Sequence, residues 1–228
     1  MKDSKIEGFI ADIRYKVEGS PVFDPWWEVD PENDKSPSGP LIRRRQLKHY
    51  LSLRRGKARL LLLGEALGYQ GGHFTGIAMT SERILLKNSN HPLLNEVNVL
   101  DGLEIKRTSK EEIKVLGFSE PTATIVWRVM LEAGLESEQF IIWNAFPWHP
   151  HRKGDLLSNR TPTENEIARG LPFIKRLIDS YDFELIVAVG NKASAILNIA
   201  GIEHSHVRHP ANGGAKKFAT QMQALLSV

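Results

Sequence analysis

Apolar residues recur along this chain in two periods. Ile6, Phe9, Ile10 and Ile13 fall at helical spacing, which predicts a helix over residues 4–18. Further on come four short apolar runs: 59–64 around Leu60-Leu61-Leu62-Leu63, Phe140-Ile141-Ile142-Trp143 ending at Asn144, 185–189 stopped by Gly190, and 205–207. Runs of that length, bounded by glycine or polar residues, are the pattern of buried strands. Helical stretches lie between them. Pro121 opens one over 121–133 that stops at Gly134, Thr163 and Glu166 have capping-box spacing for another reaching 179, and Asn191 caps a short one ending at Gly201. Strands alternating with helices give a parallel sheet covered on both faces. The expected fold is therefore α/β, a three-layer α/β/α sandwich around a short four-stranded parallel sheet.

The remaining segments are less regular. Residues 19–40 carry Pro21, Pro25, Pro31, Pro37 and Pro40 and read as a long loop, which the Trp26-Trp27 pair pins to the body. Residues 41–54 read as a basic helix, and 147–162 as a loop rich in Pro, His and Arg. The pattern is weakest over 69–120, where a small hairpin is expected around Gly102 to Gly117. No repeat, low-complexity tract or linker interrupts the chain. It reads as one domain over 1–228, with N-terminal helices and the proline-rich loop in 1–58 and an α/β core in 59–228.

Composition narrows the class. At 228 residues, one domain buries about 70% of its unfolded surface. No apolar run approaches the roughly 20 residues that span a bilayer. The N-terminal Met1-Lys2-Asp3-Ser4-Lys5 lacks an apolar signal core, so cytoplasmic residence is expected. The absence of cysteine excludes disulfides, a thiolate nucleophile and an iron–sulfur cluster. Net charge is only +3, but residues 41–59 hold Arg43, Arg44, Arg45, Lys48, Arg54, Arg55, Lys57 and Arg59 with no acid. Such a block either neutralises phosphates or forms a solvated helix face.

The candidate chemistry lies where strands end. Gly64-Glu65, Asn144-Ala145-Phe146, Gly190-Asn191 and His209-Pro210 all follow apolar runs. Ligands of open α/β sheets bind outside the carboxyl ends of the strands, so a carboxylate, an amide and a histidine converge on one edge. Each also has a plain structural reading: a salt bridge for Glu65, a loop cap for Asn144, a half-buried histidine for His209. Gly64-Glu65-Ala66-Leu67-Gly68 lacks both the spacing and the Lys-Ser/Thr of a phosphate loop, and no G-x-S-x-G elbow exists. A metal site would have to use His204, His206 and His209, or His149 and His151, and no carboxylate has matching spacing. No metal is expected.

Five blocks, taken in order from about Leu41 to Phe218, resemble the uracil-DNA glycosylase superfamily: GEALGYQGGHFTGIAMTSER, PTATIVWRVMLEAG, WNAFPWHPHRKGDLLSNRTPT, VAVGNKA and VRHPANGGAKKF. The resemblance implies hydrolysis of the bond joining a damaged base, usually uracil, to deoxyribose. Gly64 to Gly68 resembles the first motif, whose GEAPG-type branch carries a glutamate where Glu65 stands. His209 matches the histidine of the HPS-type second motif. Glu65 and His209 are thereby implied as catalytic, and Gly64, Ala66, Gly68, Tyr69, Met79 and Asn144 as base-binding. Asn144 is similar to the asparagine that reads the uracil edge, and Met79 ends the segment whose last residue stacks on the flipped base. Pro210, Ala211 and Asn212 open a small-residue loop suited to the minor groove. Arg152, Lys153, Arg160, Lys216 and Lys217 are implied phosphate contacts.

Five positions depart from the family pattern: Leu67 replaces a proline and loosens the turn, Met79 an aromatic, and Ala211 a serine, while Ala66 and Gly68 stand where another branch has an aspartate and a thymine-excluding aromatic. Phe74 or Phe146 is the alternative stacker, and Tyr69 or Gln70 the alternative excluder. The implied activity is a monofunctional DNA glycosylase for uracil or another deaminated base. It is a monomer acting on DNA that contains a damaged base, with no cofactor and no membrane. Two other readings remain open: a catalytically weak lesion-DNA-binding protein, and a hydrolase or binder of free nucleosides whose pocket is covered by the loop 19–40.

Overall fold

A computed structural model of the chain describes residues 3–17 and 19–227. Its elements in chain order are α1 (Asp3–Asp12), β1 (Val22–Phe23), α2 (Gly39–Leu53), β2 (Leu60–Ala66), α3 (Gly72–Thr75), α4 (Glu82–Leu85), α5 (Pro92–Glu96), α6 (Pro121–Glu132), β3 (Phe140–Phe146), β4 (His149–Pro150), α7 (Glu164–Ile178), β5 (Leu185–Val189), α8 (Asn191–Ile199), β6 (Ser205–Val207) and α9 (Ala215–Leu226). The four apolar runs are β2, β3, β5 and β6, and they form one parallel sheet in the order β3-β2-β5-β6. In register, Leu61 faces Ile141 on one side and Ile186 on the other, the first two in the core and Ile186 packed against it. The fold is α/β with helices α7, α8 and α9 laid on the sheet. Among the described residues, no helix is long and apolar enough to cross a membrane.

The central strands run further than the apolar pattern indicates. Gly64 still pairs with Asn144 and Ala66 with Phe146, so Glu65 and Asn144 project from strands rather than from turns. Hydrogen bonding with the neighbour extends the strand where side-chain character no longer signals it.

Several other expectations are corrected. Helix α1 ends at Asp12, because the amide of Tyr15 donates to Asp24 Oδ2 (2.8 Å) in place of a helical carbonyl. Glu18, the last residue of the expected helix, lies outside the described residues. The loop 19–40 contains β1, which pairs antiparallel with β4 from the other supposed loop. Pro40 opens α2 from its first turn instead of closing the loop before it. No hairpin forms over 102–117: the amides of Thr108 and Ser109 donate to the buried Glu82 Oε1 at 3.1 and 3.0 Å, and Ser109 bridges to Asp34. The C-terminal α9 was not foreseen, although Phe218 and Met222 bury one of its stripes.

Two arginines of the basic segment are structural. Arg43 and Arg54 are fully buried. Arg43 Nη1 meets Asp34 Oδ1 at 2.6 Å, and the same guanidinium donates to the carbonyls of Pro25 and Glu28. Arg54 donates to the carbonyls of Phe140 (2.9 Å) and Ser137 (2.6 Å). Ile142 N donates to the Tyr50 hydroxyl at 2.9 Å, so Tyr50 and Arg54 together cap the free edge of β3 and leave it no strand to recruit. Trp26 stacks parallel to Trp143 at 6.2 Å and donates to Gly76 O, which pins the loop as its sequence suggested.

Candidate active site

A cavity of about 450 Å³ opens at the carboxyl ends of the sheet. The chain runs from β2 outward to β3 and then crosses to β5 on the other side, so β2 and β5 bracket a topological switch point. Gly64, Glu65 and Ala66 from β2, Asn144 from β3, Val189 at the end of β5 with Gly190 after it, and Arg208 and His209 after β6 all line this cavity. The expected convergence of carboxylate, amide and histidine is met.

Its floor is set by a close approach. A methyl group on Gly64 would lie 2.5 Å from the Asn144 carboxamide and 2.7 Å from Met79 Cε, so only glycine lets both side chains meet β2 here. Asn144 is buried, and hydrogen bonding orients its amide: Oδ1 accepts from Leu67 N and Nδ2 donates to Trp143 O, both at 3.3 Å. One Nδ2 hydrogen therefore remains for a ligand. Met79 adopts a left-handed φ of 42°, costly for a side chain of this type. It is held there by Trp127 Nε1 donating to its carbonyl (3.1 Å) and by the Thr75 hydroxyl donating to Thr80 O (2.7 Å).

Glu65 is half-buried and paired. Lys192 Nζ, from the first turn of α8, lies 3.1 Å from Glu65 Oε1 and also donates to Thr161 Oγ1 at 2.6 Å. The plain salt-bridge reading of Glu65 is thus realised inside the cavity, where it neutralises the carboxylate without hiding it.

His209 is fixed in one tautomer. The amide of Ala211 donates to Nδ1 at 3.1 Å, which leaves the ring proton on Nε2. Burial, reinforced by Arg208, holds the imidazole below its ordinary range, so it is neutral at neutral pH. Gly190, at φ 95°, passes so close that a Cβ there would stand 2.9 Å from His209 Cβ. The site thus presents a neutral N–H donor, an amide N–H and a balanced carboxylate around one space.

The family model of the Uracil DNA glycosylase superfamily matches residues 53–225. The chain belongs to the uracil-DNA glycosylase superfamily. No match was found among curated proteins. Among solved structures, the chain resembles that of SMUG2 from Pedobacter heparinus, with TM-score 0.64 and 14% identity over 99% of this chain and 96% of that one.

Within this superfamily member, the other residues named from sequence are placed unevenly. Ala66, Gly68, Ala211 and Asn212 line the cavity; Tyr69 and Pro210 do not. Tyr69 is fixed through its backbone, which donates to Asn159 Oδ1 at 3.2 Å. Neither alternative stacker reaches the cavity, since Phe74 and Phe146 are core residues, and Gln70 stays outside as well. Leu67 does not loosen the turn: it is buried against Gly72, and its amide also reaches Phe146 O at 3.3 Å.

Arg160 borders the cavity, but all five of its N–H donors bond within the protein. They go to both Glu166 oxygens (2.6 and 2.7 Å) and to the carbonyls of His151, Thr161 and Pro21. Its role is a strut, tied to the capping box of Thr163 and Glu166 that starts α7. Arg152 (3.4 Å from Asp155) and Lys153 are exposed away from the cavity, as are Lys216 and Lys217 on the first turn of α9. The loop 19–40 contributes no residue to the lining of this cavity.

Two of the histidines considered for a metal are engaged otherwise. His204 uses both ring nitrogens, on Ser194 Oγ and Ile202 O, each at 2.8 Å. His149 belongs to a buried string in which Asp30 Oδ2 meets His73 (2.9 Å), His73 meets His149 (2.9 Å), and His149 Nε2 donates to Ser158 O (2.7 Å). That string braces the backbone next to Asn159, itself on the cavity wall. Sequence reasoning missed Lys192, Glu120, Thr122, Asn159 and Arg208, all of which line the cavity. Lys192 lay within the VAVGNKA block, but no spacing rule links it to Glu65; Glu120 and Thr122 flank the Pro121 that was read only as a helix start.

Proposed function

We propose that this protein is a monofunctional DNA N-glycosylase that hydrolyses the bond between deoxyribose and uracil or another deaminated base. The observation that carries the reading is the convergence of Glu65, Asn144 and the neutral His209 on one cavity in a chain of the uracil-DNA glycosylase superfamily. A cavity of about 450 Å³ is in the range that takes a small ligand, and a base inside a duplex must be extruded to enter it. Breaking the glycosidic bond leaves negative charge on the base and positive charge on the sugar. The Nε2–H of His209 is a donor for the first charge, and it needs no proton from solvent to act. Glu65 is the group for the second, or for orienting the attacking water. Asn144 offers its remaining N–H to the base edge.

The test uses labelled oligonucleotides holding one uracil, hypoxanthine or xanthine, single-stranded and opposite each base, followed by hot alkali to reveal abasic sites. Base release that collapses in both Glu65→Gln and His209→Ala is expected. Lesion-specific binding without release from any substrate would replace this reading with that of a damage-binding protein.

A further inference from the structure

One acid on the cavity wall has a carboxyl with no structural employment. Glu120 precedes α6, yet its carboxyl makes no cap bond to the helix, and its Oε2 is buried without a hydrogen-bond partner. Buried carboxyl oxygens are otherwise bonded as a rule, and an orphan destabilises the fold that contains it. The chain nevertheless makes room for this one. A Cβ on Gly71 would overlap Glu120 Oε2, and a Cβ on Gly68 would stand 3.9 Å from Oε1 and 3.8 Å from the Asn159 amide. The carboxyl is therefore lodged against two side-chain-free positions of the loop that follows β2, on the same wall as Gly68 and Asn159.

Resting on the glycosylase reading, we propose that Glu120 contacts the extruded base and, as an un-ionised acid, donates a hydrogen bond to it as the base leaves. The departing base gains negative charge. An ionised carboxylate beside it would oppose that charge, whereas a neutral carboxylic acid supplies a donor, as buried acids do in other enzymes that stabilise oxyanions. The surroundings favour the neutral form: burial alone pushes the Glu120 carboxyl up to about 7, with no cation beside it to pull it back. The other titratable groups on the cavity wall have partners or roles of their own. Glu65 pairs with Lys192, Arg160 with Glu166, and Arg208 and His209 stand together at the end of β6.

The deciding experiment measures single-turnover base release from the best substrate between pH 5.5 and 9, for the wild type, Glu120→Gln and Glu120→Leu, with melting temperatures alongside. Glutamine keeps a neutral donor at every pH; leucine has none. The wild-type rate is expected to fall as pH rises through about 7, the value to which the carboxyl is shifted. Glu120→Gln should lose that alkaline limb while staying within about threefold of the wild type at pH 6, and Glu120→Leu should be slower by about 10²-fold. A purely structural Glu120 would leave the limb in place in the glutamine variant, or leave release by the leucine variant unchanged; either result overturns the proposal. If leucine prevents folding, the glutamine profile decides alone. No release by the wild type from any lesion overturns the glycosylase reading and this role with it, whereas release unaffected by either variant overturns this role only.

Discussion

Lys192 Nζ and Glu65 Oε1 lie 3.1 Å apart on opposite sides of the switch point, one on the first turn of α8 and the other on β2. The ammonium is more than half exposed, so the pair itself adds little to stability. Its position matters more. An exposed cation next to the cavity can exchange a carboxylate for a DNA phosphate, and that exchange would release Glu65 towards the sugar. Lys192→Met is therefore expected to weaken DNA binding and to lower the salt slope of the affinity by about one. The rate at saturating enzyme should change less than about threefold, the scatter common for a lost exposed pair. Titrations at several salt concentrations, paired with single-turnover rates, check this. A collapsed rate with unchanged binding would mean that the lysine serves Glu65 and not the backbone.

His209 sets a second expectation, with a defined sign. Burial and Arg208 hold its folded-state affinity for protons below that of an unfolded histidine. The unfolded chain thus binds the proton more readily, and stability falls as pH drops below about 6.5. Catalysis follows the same direction, because a doubly protonated ring breaks the bond from Ala211 N to Nδ1. The acid limb of base release should therefore lie below the ordinary histidine range, separate from the alkaline fall assigned to Glu120. His209→Ala should lose about 10²–10³-fold in rate, the usual cost of one preorganised donor. A rate that rises as His209 becomes protonated, followed by NMR titration of the ring, would reverse this assignment.

The sequence carried the sheet and the three principal site residues because both depend on short-range features. Leu60 to Leu63 can only be buried, and Glu65, Asn144 and His209 each follow such a run. What was not legible depends on pairings across the chain. Arg43 and Arg54 look like solvent-facing cations in a basic block, and only the carboxylate of Asp34 and the carbonyl edge of β3 explain why they are buried. β1 and β4 are two residues long and exist because each supplies the other's hydrogen bonds. Lys192 reaches Glu65, and Glu120 reaches the cavity, through the arrangement of α8 and α6 around the sheet. Neither is visible in local spacing.

That burial of Arg43 has a measurable consequence. Its guanidinium meets Asp34 at 2.6 and 3.0 Å, with both side chains fully enclosed, and it also ties down the loop through Pro25 and Glu28. Replacing it with methionine keeps the volume but leaves Asp34 charged and unpaired. The expected loss is about 3–5 kcal/mol, or a melting temperature lower by on the order of 10 °C for a chain of this size. Calorimetry on Arg43→Met checks the size, and Arg43→Met with Asp34→Leu should recover part of it, because the stranded charge is then gone. DNA affinity should not change in either variant. A drop in affinity without a drop in stability would return Arg43 to the phosphate-binding role its sequence context suggested.

Gly64 separates fold from chemistry most cleanly. Its backbone lies in the middle of the paired region of β2, opposite Asn144, so alanine has no conformational objection to the position. The objection is spatial: the added methyl would stand 2.5 Å from the Asn144 carboxamide and 2.7 Å from Met79 Cε. The methionine thioether is flexible and can retreat, although its left-handed backbone limits how far. Asn144 is held by Leu67 N and Trp143 O and must give up at least one of those bonds to move. Gly64→Ala should therefore stay folded and melt lower by on the order of 5 °C, at a cost of about 1–3 kcal/mol for overpacking, yet release base at least about tenfold more slowly. Asn144→Ala in the Gly64→Ala background should be no slower than Asn144→Ala alone, because the methyl acts through that side chain. Equal slowing by Gly64→Ala in the presence and absence of Asn144 would show that the glycine admits the base itself, and the close contact with Asn144 would lose its significance.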